Sequence, residues 1–240
     1  MDAIGDDARG PGPNADRPDQ VSPHIPADLR DGYEIHSYGH AAAILASSFA
    51  EQWLDLQRAM REFRLSWRDI AMPGGNESAI PKILSGILRP CGWVEARIHA
   101  DLHVHVEAGG QRAERVIPNY LDGHKIDYVK DRVAFDLEWN SKDQTFDRDL
   151  YALRTFHECG LVSVGVLMTR SASLNPLFEQ IPALGKDGQV QKSSVKDKYG
   201  ASTTWMGKLL YRLNAGRHGG CPLLVIGITP QQISDWPPVS

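Results

Sequence analysis

The sequence predicts an α/β fold, a central mixed β-sheet flanked by helices. Three observations carry this. Segments with apolar residues every three to four positions alternate with strand-like segments, the pattern of helices packed on a sheet. Two short runs, 161–168 and 223–228, are almost wholly apolar, as strands covered on both faces are. Residues 93–107 alternate strictly, with Ile98, Ala100, Leu102, Val104 and Val106 on one side and polar residues on the other, as a half-covered strand does.

In chain order, residues 1–31 are rich in Pro, Gly and Asp, and are expected to be a disordered acidic tail. Residues 32–240 are then one domain. Ile44, Leu45, Phe49, Trp53, Leu56, Met60 and Phe63 predict one long amphipathic helix over 38–64, a candidate for core or for dimer packing. After Pro73-Gly74-Gly75, Asn76 can cap a helix running to Leu88, and Pro90 and Gly92 end it. Gly109-Gly110 turns the chain at the end of the 93–107 strand. Residues 125–130 and 132–139 read as a hairpin. Phe146, Leu150, Leu153 and Phe156 give a helix over 146–158, residues 185–202 a loop, and 203–214 another helix.

The chain has 240 residues, ample for one core, with 42% hydrophobic and 23% charged residues. No apolar run approaches the roughly 18 residues of a membrane span, and no signal peptide is expected. Cys91, Cys159 and Cys221 are far apart and read as reduced thiols, so the expected location is the cytoplasm. The net charge of −4 is unevenly placed. Residues 1–31 hold seven acids and three arginines, which accounts for all of it. Residues 170–217 hold eight bases and three acids, an excess of +5 that can face phosphates or simply solvent.

The informative stretch is 126–140. Asp136 and Glu138 are two apart on a strand and point the same way, while Val133, Phe135, Leu137 and Trp139 take the other face. With a two-residue turn at Asp131-Arg132, Lys130 pairs with Val133 and Asp127 lies opposite Asp136. Three carboxylates then meet in one patch and repel unless a cation compensates them. An all-oxygen set suits Mg²⁺ rather than zinc. A loop one residue longer or shorter would put Asp127 on the wrong face. On spacing alone, the same acids could line a solvated sheet face.

Asp127, eight intervening residues, then Asp136-Leu137-Glu138 resembles the PD-(D/E)xK nuclease motif. More closely, the chain resembles type II restriction endonucleases of the BglII/BamHI kind, which carry Gln or Glu where most of the superfamily has lysine. Glu138 stands there, and neither Lys130 nor Lys142 replaces it. The runs 138–143, 146–150 (Phe-Asp-Arg-Asp-Leu) and 198–204 extend the likeness, which covers about 38–230. It implies a prokaryotic source, a restriction-endonuclease-like fold and Mg²⁺-dependent cleavage of both strands of a short palindromic DNA site, with a GATC-containing site as the expectation. In this reading Asp127 and Asp136 bind the metal, and Glu138 orients the attacking water or takes its proton. Glu77 is the acidic residue such enzymes often draw from a preceding helix; a favourable charge at a helix start explains it equally well. A palindromic substrate implies a homodimer. A cognate DNA methyltransferase is expected in the same system, without direct contact.

DNA is then expected to meet Asn140, Ser141, Lys142 and Asp143, together with Arg170, Ser171, Lys198, Tyr199, Ser202, Thr203 and Thr204; ordinary turn or cap chemistry is the alternative for each. Two other classes compete. His99, Asp101, His103, His105 and Glu107 share one strand face and suggest a zinc hydrolase. Alternate strand residues stand roughly 6.5–7 Å apart, however, so at most two neighbours can share an ion. A non-cleaving DNA-binding protein fits the basic segment but gives no reason for aligned carboxylates beside phosphate.

Overall fold

The structure is a computed structural model that describes residues 10–73, 79–200 and 202–237. The chain enters through α1 (Pro18–Val21) and α2 (Ala27–Gly32). Val21, Ile25 and Leu29 recur every fourth residue and are buried in the larger core. Asp16 anchors the segment by accepting hydrogen bonds from Ser37 Oγ at 2.6 Å and the His40 amide at 2.9 Å. The expected disordered tail is therefore corrected for residues 10–31. The apolar residues are few but one-sided, and their burial offsets the cost of ordering. Residues 1–9 lie outside the described residues.

A strand not expected from the sequence follows, β1 (Tyr33–Tyr38), and then α3 (Ala41–Ser48) and α4 (Ala50–Glu62). The expected single helix over 38–64 is thus split. Phe49, at φ −132° and ψ 47°, leaves helical geometry while keeping both helices on one apolar layer. The short α5 (Trp67–Ala71) is capped by Ser66, whose Oγ accepts from the Arg68 amide. α6 (Ala79–Leu88) completes the layer. Asn76 and Glu77 lie outside the described residues.

β2 (Val94–Ala108) and β3 (Gln111–Lys130) form a long hairpin around Gly109 and Gly110, both at positive φ (58° and 78°), where glycine carries no steric cost. β3 begins well before the expected residue 125. A two-residue turn leads to β4 (Val133–Glu138), with Asp131 at φ 50°. α7 (Thr145–Glu158), β5 (Val164–Arg170) and α8 (Asn175–Gln180) follow. The segment read as loop holds a small strand pair, β6 (Pro182–Leu184) with β7 (Val190–Ser194). α9 (Met206–Asn214) and β8 (Leu223–Ile228) close the fold.

Among the described residues, six strands form the main sheet in the order β1-β8-β5-β4-β3-β2. β4, β5 and β8 run parallel; β1, β3 and β2 are antiparallel to their neighbours. This is the expected mixed sheet between helical layers. One face carries α3, α4 and α6 over Val133, Phe135 and Val166. The other carries α7 and α9, with Phe146, Leu150, Leu153, Leu209 and Leu213 over Ala134 and Leu167. Each such buried side chain stabilises the fold by about 1.5–3 kcal/mol. Gly165 lets α7 come close, since a Cβ there would stand 3.0 Å from both Leu153 and Leu223. No helix among the described residues is long and apolar enough to cross a membrane.

Candidate active site

The site is built at the junction of β3, β4 and α7. The turn at Asp131-Arg132 fixes the pairs Lys130–Val133, Val129–Ala134 and Tyr128–Phe135. Continuing that register sets Asp127 opposite Asp136. There the ladder stops: the Asp127 amide donates to Asp136 Oδ1 at 2.7 Å. β3 accommodates one extra residue at this point, pairing Val129 with Val94 but Ile126 with Ala96. Such a bulge re-aims the strand locally. Asp127 is exposed, whereas Asp136 and Glu138 are 5% and 8% exposed on the face that α7 covers.

The helix adds a fourth carboxylate, Asp149, which is 2% exposed. It had not been singled out. The signal was present: Asp149 lies three after Phe146 and four before Leu153, inside the apolar stripe of its helix, where an acid is out of place. Arg148 Nη2 contacts Asp149 Oδ1 at 2.9 Å and reaches Glu138 Oε1 at 3.7 Å.

Four carboxylates thus gather near one guanidinium. Burial pushes the Asp136 carboxyl well above its usual range, and the charges of Asp149, Asp127 and Glu138 push it further. Glu138 is likewise raised, first by burial and then by Asp149. Asp149 is raised by burial against the opposing pull of Arg148. Glu138 Oε2 and Asp149 Oδ2 are buried without a protein donor among the described residues; the two carboxyls face each other within hydrogen-bond reach, an arrangement that holds only with a proton or a cation between them. A buried, unpartnered oxygen of this kind costs about 1–3 kcal/mol, more when charged.

This donor set fits a hard divalent cation: every donor is oxygen, and the uncompensated charge and orphaned oxygens are what such an ion offsets. Among the described residues no three acidic, histidine or cysteine side chains are gathered into a ready-made cage. Mg²⁺ does not require one, because it binds through one or two carboxylates and keeps water and phosphate oxygens. His99, His103 and His105 are exposed along β2, and His105 instead contacts Glu114 at 3.3 Å. Their row is not gathered into a zinc site either.

The two polar segments expected to meet DNA do come together. The Asp143 amide donates to Ser202 O and the Thr204 amide to Ser141 O, both at 2.9 Å, and Lys142 bridges to Thr203. Lys142 and Ser202 are exposed on this surface, with Ser141 and Asp143 half-buried. Asn140 Oδ1 is buried without a partner. The other expected residues face inward. Arg170, 1% exposed, donates to Trp139 O, Thr203 Oγ1 and Thr204 O, and its guanidinium lies over the ring of Tyr199 at 4.9 Å. Tyr199 is buried between Trp139 Nε1 and Ile70 O. Ser171 caps the turn at Ser173, and Thr204 is fully buried. Lys198 Nζ holds the carbonyls of Ile70 and Met72 at 3.0 and 2.6 Å, tying down the end of α5. These five build the loop from beneath: Arg170, Ser171, Lys198 and Tyr199 spend their polar groups inside the protein, and Thr204 is buried, with its Oγ1 unpartnered among the described residues.

No curated protein matches the chain. A family model, that of the restriction endonucleases BglII/BglIII, matches residues 33–228. The chain belongs to the BglII/BglIII family of restriction endonucleases.

Proposed function

We propose that this type II restriction endonuclease, a site-specific deoxyribonuclease acting on double-stranded DNA, cuts with a divalent cation, Mg²⁺, held by Asp127 and Asp136. The observation that carries this reading is the buried, under-compensated carboxylate group at the β3–β4–α7 junction. When bound, such an ion polarises the scissile phosphate and stabilises the charge that develops on the leaving oxygen. The chain's own residues do the rest. Asp136 and Asp127 supply the anionic oxygens. Glu138, in the place most of the superfamily gives to lysine, orients the attacking water or takes its proton. Arg148, two-thirds exposed, donates from Nε and Nη2 to Asp149 Oδ1 and stands beside Glu138, where its remaining edge can meet a phosphate oxygen.

The surface made by residues 140–143 and 202–204 supports a reading in which Asn140, Ser141, Lys142, Asp143, Ser202 and Thr203 approach the bases or backbone. A homodimer follows from a palindromic target, one subunit for each strand. A target containing GATC and a cognate methyltransferase in the same system complete the proposal. Glu77 is a further acid of this chemistry on the sequence reading.

Digestion of DNA rich in short palindromes with Mg²⁺, followed by end mapping, tests it. Fixed cut positions on both strands are expected, and Asp127→Asn and Asp136→Asn should remove cutting while circular dichroism stays unchanged. Full activity in both variants would refute the site. Sequence-specific binding without cutting would favour the non-cleaving alternative.

A further inference from the structure

Asp149 is an acid buried in an otherwise apolar stretch of its helix. It sits in the apolar stripe of α7 against Phe146, Leu150 and Leu153, one of the least exposed acids in the protein. An apolar residue there would carry no desolvation penalty. Instead one oxygen engages Arg148 and the other, Oδ2, is buried with no partner among the described residues. The neighbouring Glu138 Oε2 is in the same condition. Glu138 and Asp149 lie within hydrogen-bond reach of each other, so two facing carboxylates with a single arginine beside them call for a further positive charge, a proton or a metal ion.

We propose that Asp149 is a positioning residue of the cation site: through Arg148 and by direct opposition to Glu138, it fixes the Glu138 carboxylate and adds the negative charge that draws the ion in. The inference rests on the reading of Asp127 and Asp136 as the metal ligands. Arg148 spans the pair, 2.9 Å from Asp149 and 3.7 Å from Glu138, so moving or neutralising Asp149 releases both. Partners behind ligands typically tune metal affinity by 10–100-fold.

The test uses Mn²⁺ alone, without DNA, titrated into the full chain and followed by the electron paramagnetic resonance signal of the free ion. Melting temperature is measured in parallel with a chelator present. Asp149→Asn is expected to weaken Mn²⁺ binding at least about tenfold, while the metal-free melting temperature stays the same or rises because a buried repulsion is gone. Asp149→Ser serves if the first variant does not fold. Binding within about threefold of the parent overturns the proposal. So does a fall in metal-free melting temperature with affinity kept, which marks Asp149 as purely structural. Asp136→Asn separates the two levels. If it abolishes Mn²⁺ binding while Asp149→Asn does not, the positioning role alone fails. If neither variant changes binding, the metal-ligand reading fails as well.

Discussion

Two buried polar centres lie at the ends of neighbouring parallel strands, and they are built on opposite principles. At the end of β5, Arg170 is enclosed by acceptors: Trp139 O, Thr203 Oγ1 and Thr204 O take its protons, with the ring of Tyr199 beneath. At the end of β4, Asp136, Glu138 and Asp149 crowd together, with two oxygens left without donors. The first centre satisfies its arginine, although Thr204 Oγ1 beside it has no partner among the described residues. The second is complete only with something added. A buried polar group whose partners are all present is a structural fastener; one whose partners are missing is poised for a ligand.

The comparison breaks most visibly at Asp136. Asp136→Asn should lower cleavage by well over about 100-fold, more than the loss of a partner behind a ligand, with the unfolding midpoint in urea unchanged or higher; a plasmid-nicking assay beside urea melts decides. Arg170→Met should do the reverse. It strips three buried acceptors of their donor and should cost about 3 kcal/mol or more of unfolding free energy, read from urea curves at constant slope. Loss of activity without loss of stability there would move Arg170 into the reactive centre.

The pH dependence sharpens the contrast. Asp136, Glu138 and Asp149 hold protons more tightly folded than unfolded. The unfolded chain therefore releases protons first as pH rises. The stability these groups contribute is present at acid pH and is lost from the ordinary carboxylate range upward through their raised values. In chelator, melting temperature should decline over that range, and Ca²⁺ should flatten the decline. A flat profile without metal would mean the cluster is compensated by the protein itself. The smallest effect is expected on the loop surface. Lys142→Ala should weaken DNA binding modestly and uniformly across sequences and lower the salt slope by about 1, as loss of one phosphate contact does.

Much of this was legible in the sequence. The turn at Asp131-Arg132, the face shared by Asp136 and Glu138, and the buried strands β5 and β8 follow from alternation and turn chemistry, which are local. Phe49 was not legible as a break, because both α3 and α4 keep the same apolar side. The strand β1 was hidden next to a helix pattern. Arg170, Ser171, Lys198, Tyr199 and Thr204 had the right residue types for DNA contact, yet pack inward. Their direction depends on Phe178, Trp139 and the carbonyls of α5, which lie far away in the chain.

By itself the sequence determined the strand periods, the two-residue turn and thus the meeting of Asp127 with Asp136, since the reach of a hairpin is set by neighbours along the chain. Only the tertiary structure decided that α7 lies across that face and lowers Asp149 onto Glu138. It alone drew residues 10–31 into the core and turned the arginine at the end of β5 inward. Those outcomes hang on contacts between segments remote in sequence, whose partners no local pattern specifies.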